Sequence, residues 1–407
     1  MTRIEFHRKA HYFIAILIAF TLPFGKFTPL FIGLLLVNWI VEADFKTKFN
    51  NFIKNKLAIL FVSLYLIHVL GLIYTNNMAS GLFDIQVKLS LLIFPLIFAS
   101  RPLTKAELSN VFYAFTIGLV YASIYMISRA ISLYFIEHEV AFFYKEFSAL
   151  IHTSYISMYM NLAIVWLLIT LFNKEREQLF SKISSSFLIL FFSFIIVLLA
   201  SKSGILTLAL IYIGILLYFI LYKKNYLFGV IGILLIAFSL VLVSRFAPVV
   251  TNRIDSFLGA FHTESNTETT ESTSVRMLIW ESSNQVIKNN FLLGVGTGDA
   301  KDALNAEYSK KNISNALDHN LNAHNEFYQI FICLGIVGFI ILVLNLFYPI
   351  IYYSKTADYL YVVFLLIITF NFLSESMLET QAGVMFYAFF NSIFGLKHNE
   401  NIENKKI

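Results

Sequence analysis

Cysteine is nearly absent. Cys333 is the only one in 407 residues, so no disulfide closes within the chain and the redox compartment stays unread. Charge is also scarce, at 14%, against about a quarter in soluble globular chains. With 58% apolar residues and a mean hydropathy of +0.73, that shortage excludes a soluble globular protein and implies an integral membrane one. Short alternating apolar segments are missing too. The apolar runs are continuous, which excludes a transmembrane β-barrel. The first run leads to Pro23 and Lys26 without a small-residue cleavage site, so no cleavable signal peptide is expected. No tandem or inverted repeat stands out. What is abundant is aromatic: 43 Phe and 22 Tyr suit lipid-facing and interfacial surface.

A spanning helix needs about 20 apolar residues, fewer where its ends are wet. Twelve runs qualify: 11–24, 28–41, 57–74, 85–100, 111–135, 152–172, 186–200, 204–222, 226–243, 327–353, 359–372 and 382–394. The first two are the shortest, and the pair around 201–203 reads as two helices joined by a tight turn. The expected fold is therefore all-α, about twelve membrane helices with one large polar loop that contains short helices. The net charge of +5 is informative by position. With the N-terminus in the cytoplasm, alternate loops carrying Arg3, Lys46, Lys54, Arg101, Lys105, Lys174, Lys223, Lys224 and Lys397 all fall inside. The short outer loops hold only Lys26, Lys145 and Lys202. Both termini are then cytoplasmic and the long loop lies outside, which in a bacterial inner membrane would be the periplasmic face. The expected organisation is 1–244 with helices one to nine, 245–323 as the loop, 324–396 with helices ten to twelve, and a tail at 397–407.

The loop has parts. The stretch 262–274, HTESNTETTESTS, has no apolar anchor and is expected to be mobile. Along 275–287, Val275, Leu278, Ile279, Ser282 and Val286 share one helical face with Trp280 alongside, which suggests an amphipathic helix lying in the membrane interface. Next, 290–304 carries Gly294, Gly296 and Gly298, a turn-rich break. The loop ends in HNEFYQIFICLGIVG, with His324 and Asn325 at the mouth of a long apolar helix. If that helix starts near His324, Gly335 lies about three turns on, and Gly335 and Gly338 share its face. Small residues let a neighbouring helix cross closely, which would aim His324 into a cleft. The plainer account has His324 and Asn325 capping the helix while the glycines only pack.

His-Asn, nine residues, Gly, two residues, Gly: this spacing resembles the pattern of the O-antigen ligase/polymerase family, and His324, Asn325, Gly335 and Gly338 match it. Arg276-x-x-x-Trp280, followed by Leu293-Gly-Val-Gly-Thr-Gly298, resembles the family's Arg-x-x-x-Trp and glycine segment. Ser201-Lys-Ser-Gly204 resembles its Ser-Arg-x-Gly element, with Lys202 in place of Arg. That exchange keeps the charge but loses the planar fork that grips phosphate. The resemblance implies an enzyme of lipopolysaccharide and cell-envelope assembly. Its donor would be a glycan on polyprenyl (undecaprenyl) pyrophosphate, and its acceptor a sugar hydroxyl. Ligation to the lipid A core is the first reading. A polymerase, or transfer to protein Ser or Thr, is the alternative within the enzyme class. A polysaccharide transporter or flippase stands outside it, but that class would place ionisable residues at mid-membrane in related halves.

A departing pyrophosphate needs cations around it. Asp255, Asp299, Asp302 and Asp318 are scattered along the loop, so no metal and no cofactor are expected, and Arg276 and Lys202 are the fixed cations. Lys88 and Arg129, inside apolar runs, are candidates to hold substrate, with snorkelling as the plainer account. His324 is assigned either to accept the acceptor proton or orient the acceptor, or, as imidazolium, to bind donor phosphate. Asn325, His152, Tyr155, Glu375 and Glu379 complete the substrate-side candidates; a carboxylate of SESMLETQ would act as base or pair with Arg276, unless it is a solvated turn. Gly294 and Gly296 follow no strand, so nucleotide binding is discounted, and no nucleic-acid partner is expected beside membrane lipid, donor and acceptor.

Overall fold

A computed structural model describes residues 2–172, 179–227, 229–230, 232–234, 245, 249–252, 255, 272–354 and 358–397. Among the described residues the regular elements are helices, with no strand. In chain order the principal helices are α1 (Arg3–Thr21), α2 (Thr28–Glu42), α3 (Phe45–Lys54), α4 (Lys56–Gly71), α5 (Met78–Lys88), α6 (Ser90–Ser100), α7 (Lys105–Ser132), α8 (Thr153–Phe172), α9 (Leu179–Leu199), α10 (Lys202–Leu217), α11 (Ser272–Asn289), α12 (Ala300–Lys310), α13 (Ser314–Asp318), α14 (Glu326–Ser354), α15 (Tyr359–Phe372) and α16 (Gln381–Gly395). They form two compact units. One holds Met1–Gly118 and Ser265–Ile407, the other Leu119–Glu264.

Among the described residues, seven helices are long and apolar enough to cross a membrane: Lys56–Tyr74, Met78–Ser100, Lys105–Glu137, Thr153–Phe172, Ser181–Leu199, Lys202–Tyr222 and Glu326–Ser354. The chain is a helical membrane protein. The runs at 11–24, 28–41, 359–372 and 382–394 lie in α1, α2, α15 and α16; α15 has 14 residues and α2 and α16 have 15. α2 and α3 meet at 115°. Most of the run at 226–243 and of the stretch at 262–274 lies outside the described residues.

In the first unit, α14 packs on α4 and α15, and α6 on α4 and α16. Phe112, Phe115, Phe364, Phe386, Phe390 and Phe394 stack among themselves. The polar segment builds a second, smaller core. Val275, Leu278, Ile279 and Val286 of α11 pack with Leu304 and Tyr308 of α12 and with Ile332, Cys333 and Leu334 of α14. Each buried aliphatic side chain there contributes about 1.5–3 kcal/mol. The apolar face of α11 is thus the one expected, but it covers protein and not lipid. Burial pushes the Tyr308 phenol above its usual range, and it serves as a neutral donor to the Leu321 carbonyl at 3.2 Å.

The expectation of one continuous helix below His324 fails at Gly335. Its φ of 62° and ψ of −158° break α14. The break leaves the Ile332 and Cys333 carbonyls without their helical donors and the Ile336 N–H without its acceptor. The glycine segment supplies all three partners. Val295 N–H donates to Ile332 at 2.8 Å, Gly296 N–H to Cys333 at 2.9 Å, and Ile336 N–H to Phe291 at 2.9 Å. Such bonds need close backbone approach: a Cβ on Gly335 would meet the Leu292 carbonyl oxygen at 2.3 Å, and one on Gly294 the Cys333 carbonyl oxygen at 2.5 Å. Gly338 spares a different contact, since a Cβ there would meet Leu334 at 2.4 Å across the break in its own helix. The glycines therefore seat a loop segment, not a crossing helix.

Gly335→Ala puts a side chain into a backbone region that is essentially glycine's own, at a cost of about 1–3 kcal/mol before the clash is counted. Its unfolding midpoint in detergent is expected to fall well below that of the unmodified protein; an unchanged midpoint would contradict the docking.

Candidate active site

Four local decisions build a polar site in the first unit. Asn325 caps α14: its Oδ1 accepts from Phe327 N–H at 2.9 Å and Tyr328 N–H at 3.2 Å. Its remaining groups tie the cap to the turn after α15, with N–H donating to Ser376 Oγ at 3.2 Å and Nδ2 to the Leu373 carbonyl at 3.1 Å. His324, just outside the cap, takes a left-handed φ of 44°, with its N–H on Asn322 Oδ1 at 3.1 Å. On α11, Arg276 and Trp280 stand one turn apart and share a face. The Trp280 indole N–H donates to the Ala323 carbonyl at 3.1 Å, and its ring stacks on Tyr328 with centroids 6.3 Å apart.

These constraints bring Arg276, Glu375 and His324 into a row. Arg276 Nη2 donates to Glu375 Oε1 at 2.8 Å, and Glu375 Oε2 lies 3.4 Å from His324 Nδ1. The three side chains are 20%, 11% and 25% exposed, so the row is accessible from one side. One carboxylate thus serves a guanidinium and an imidazole at once. With Nδ1–H directed at Oε2, the free lone pair of the ring is on Nε2. That arrangement fits a proton acceptor beside a cation. The turn SESMLETQ is no solvated turn: Glu375, Ser376, Met377 and Leu378 are buried.

Lys88 and Glu379 are paired with each other. Lys88 is fully buried and so does not snorkel. Its ammonium pairs with Asp84 and, at 2.8 Å, with Glu379 Oε1. A charge in an apolar bundle must be matched, and two carboxylates already do so. Asn325 is likewise spent on the cap. These residues hold the turn that carries Glu375. On the same turn, Leu378 N–H donates to Glu326 Oε2 at 2.7 Å. Sequence reasoning missed Glu326, Asp84 and His68, whose Nδ1 lies 3.5 Å from Asp84 Oδ2. The signal for Asp84 was present, since an acid four residues before Lys88 in an apolar helix marks a pair.

The remaining candidates belong to the second unit. Ser201 caps α10, accepting from Gly204 N–H at 3.2 Å. Asn161 Nδ2 donates to the Gly204 carbonyl at 3.0 Å, and a Cβ on Gly204 would meet Ser157 at 2.4 Å. The tight turn thus locks α10 onto α8, with Lys202, half-buried, as its first helical residue. His152 and Tyr155 are edge-on with centroids 6.0 Å apart at the start of α8. Arg129 donates to the Glu146 carbonyl at 2.7 Å.

An all-helical membrane protein with an Arg, carboxylate and imidazole row beside a capped helix is the class these features define. Residues 187–343 match the family model described as O-Antigen ligase. Over that stretch, which is less than half of its length, the chain is similar to the O-antigen ligase family. The match takes in the Ser201–Lys202 turn, Arg276, Trp280, the glycine segment and His324, and stops short of Glu375. No curated protein matches the chain.

Lys88→Met leaves Asp84 and Glu379 unpaired in the bundle, a loss of about 3–5 kcal/mol. Its unfolding midpoint in detergent is expected to drop by more than that of Arg276→Ala, and adding Glu379→Gln to recover part of the drop. A Lys88→Met protein as stable as wild type, but unable to bind donor, would restore Lys88 to the substrate.

Proposed function

We propose that this protein transfers a glycan from a polyprenyl (undecaprenyl) pyrophosphate donor to an acceptor hydroxyl on the periplasmic face of the inner membrane, with ligation of O-antigen to the lipid A core as the specific reaction. The observation that carries the reading is the row Arg276–Glu375–His324. In this reading His324 Nε2 takes the proton of the acceptor hydroxyl as its oxygen bonds to the anomeric carbon. The bond from that carbon to the pyrophosphate oxygen breaks, and its electron pair leaves with the pyrophosphate. Arg276 stabilises the charge that develops there, and Glu375 orients the ring and supports the imidazolium. Lys202 keeps, from the resemblance, a proposed part in holding phosphate. The cations are the chain's own, and the reaction is proposed to need no metal. Polymerisation of repeat units and transfer to protein remain the neighbouring reactions of this chemistry.

The proposed topology has twelve spans with both termini cytoplasmic. α1, α2, α4, α5 with α6, α7, α8, α9, α10, α14, α15 and α16 support it, together with the run at 226–243. The part of α14 after Gly335, 336–354, is about 28 Å long, close to the apolar thickness of a bilayer. The part before it packs in the small polar-segment core, which supports a site just outside the hydrocarbon.

His324→Ala and Arg276→Ala are expected to abolish transfer in reconstituted vesicles while accumulating normally, and wild-type activity to survive chelators. A deletion strain is expected to show bare core with accumulated lipid-linked polymer. Core bearing one repeat unit would mean a polymerase, and unchanged lipopolysaccharide with unmodified glycoproteins the protein-directed enzyme. Full activity of either variant would sink the assigned roles. Lys202→Arg is expected to retain transfer and Lys202→Ala to lose most of it; indifference to both removes Lys202 from the reaction.

A further inference from the structure

A polar cleft of about 680 Å³ lies beside the glycine segment, lined by Tyr74, Asn76, Asn77, Asn290, Asp299 and Asp302. Its volume is in the range of small-molecule sites. No Lys or Arg lines it, so it suits a neutral polyhydroxyl compound and not a phosphate. Amides donate to and accept from hydroxyls, and carboxylates accept from them.

The walls are held in place before any ligand arrives. Asp299, 8% exposed, accepts from the backbone N–H groups of Asn76 and Asn77, both at 2.7 Å. The Tyr74 hydroxyl donates to the Leu293 carbonyl at 2.6 Å, leaving a fixed ring that is 37% exposed. Asn77 Nδ2 donates to Asp302 Oδ2 at 2.9 Å, and Asn290 Nδ2 to the Val286 carbonyl at 3.0 Å. After these bonds the side-chain oxygens of Asn76 and Asn290 and the second oxygen of Asp302 have no partner among the described residues. A rigid wall with uncommitted acceptors and one aromatic face is what a sugar ring needs, since it offers hydroxyls on its edge and C–H groups on its face.

The cleft is also registered to the site. Gly294 lines it, and the neighbouring Val295 and Gly296 bond to Ile332 and Cys333. Those lie eight and nine residues beyond His324, roughly 12 Å along α14. We propose that this cleft is a saccharide subsite, holding a sugar residue of the transferred glycan away from the bond being made. The inference rests on the glycan-transfer reading above.

The test uses the full chain in nanodiscs and, as probe, the free oligosaccharide released from the host's own lipid-linked donor by mild acid. Titration calorimetry is expected to show binding that Asn76→Ala and Asp302→Ala each weaken about tenfold, the effect of one hydrogen bond. Asn76→Ala keeps the backbone N–H groups on Asp299, so the wall survives. In transfer assays both variants are expected to raise KM for donor with kcat within about twofold of wild type, a split that general destabilisation would not give. Asp302→Asn is expected to recover most of the binding. His324→Ala is expected to bind the oligosaccharide as wild type does. Wild-type affinity in both cleft variants overturns the subsite, and so does binding that requires Ca²⁺ and vanishes with chelator, which would make the cleft a cation site. Full transfer by His324→Ala would sink the reaction reading instead, while the binding constants still decide the cleft.

Discussion

A helix that breaks inside an apolar run must find new partners for its backbone, because lipid offers none. At Gly335 those partners come from the turn segment 291–296, and the rest of the first unit depends on that exchange. It stitches a polar segment to a membrane helix through backbone bonds that side chains cannot replace. It also explains why glycines recur on both sides of the joint, since each peptide must approach within reach of the other. With the joint made, α11 lies against the start of α14, and the two ends of the site meet.

The site itself turns on one carboxylate. Glu375 faces a guanidinium with one oxygen and an imidazole with the other, so the charge of Arg276 and the orientation of His324 are set by the same group. The turn that carries it is held from beneath by Lys88 and Glu326 and from the side by Asn325. Buried ion pairs are weak evidence of stability, but removing one partner leaves an uncompensated charge. The buried Lys88 pairs therefore fasten the turn.

Much of this was legible in the residues. The apolar runs showed where helices form, and the amphipathic period of α11 identified its buried face. The motif spacing singled out His324, Arg276 and the glycines. The partners were not legible. Nothing in the local pattern says whether the apolar face of α11 meets lipid or protein. Nothing tells Glu375 from Glu379, four residues apart in one turn, although one joins the imidazole and the other a buried ammonium. The depth of Lys88 was legible only in part, through Asp84 one turn before it, since its second partner, Glu379, lies 291 positions away.

The chain by itself determined its solvent, its helices and its candidate chemistry, because burial of apolar surface and scarcity of charge are properties of composition and period. Tertiary structure alone decided which cation meets which carboxylate, where α14 breaks, and that an asparagine-lined cleft stands beside the joint. Those outcomes depend on contacts between residues from 37 to 291 positions apart. Such contacts are fixed by how backbones and charges satisfy one another in space, which no local pattern records.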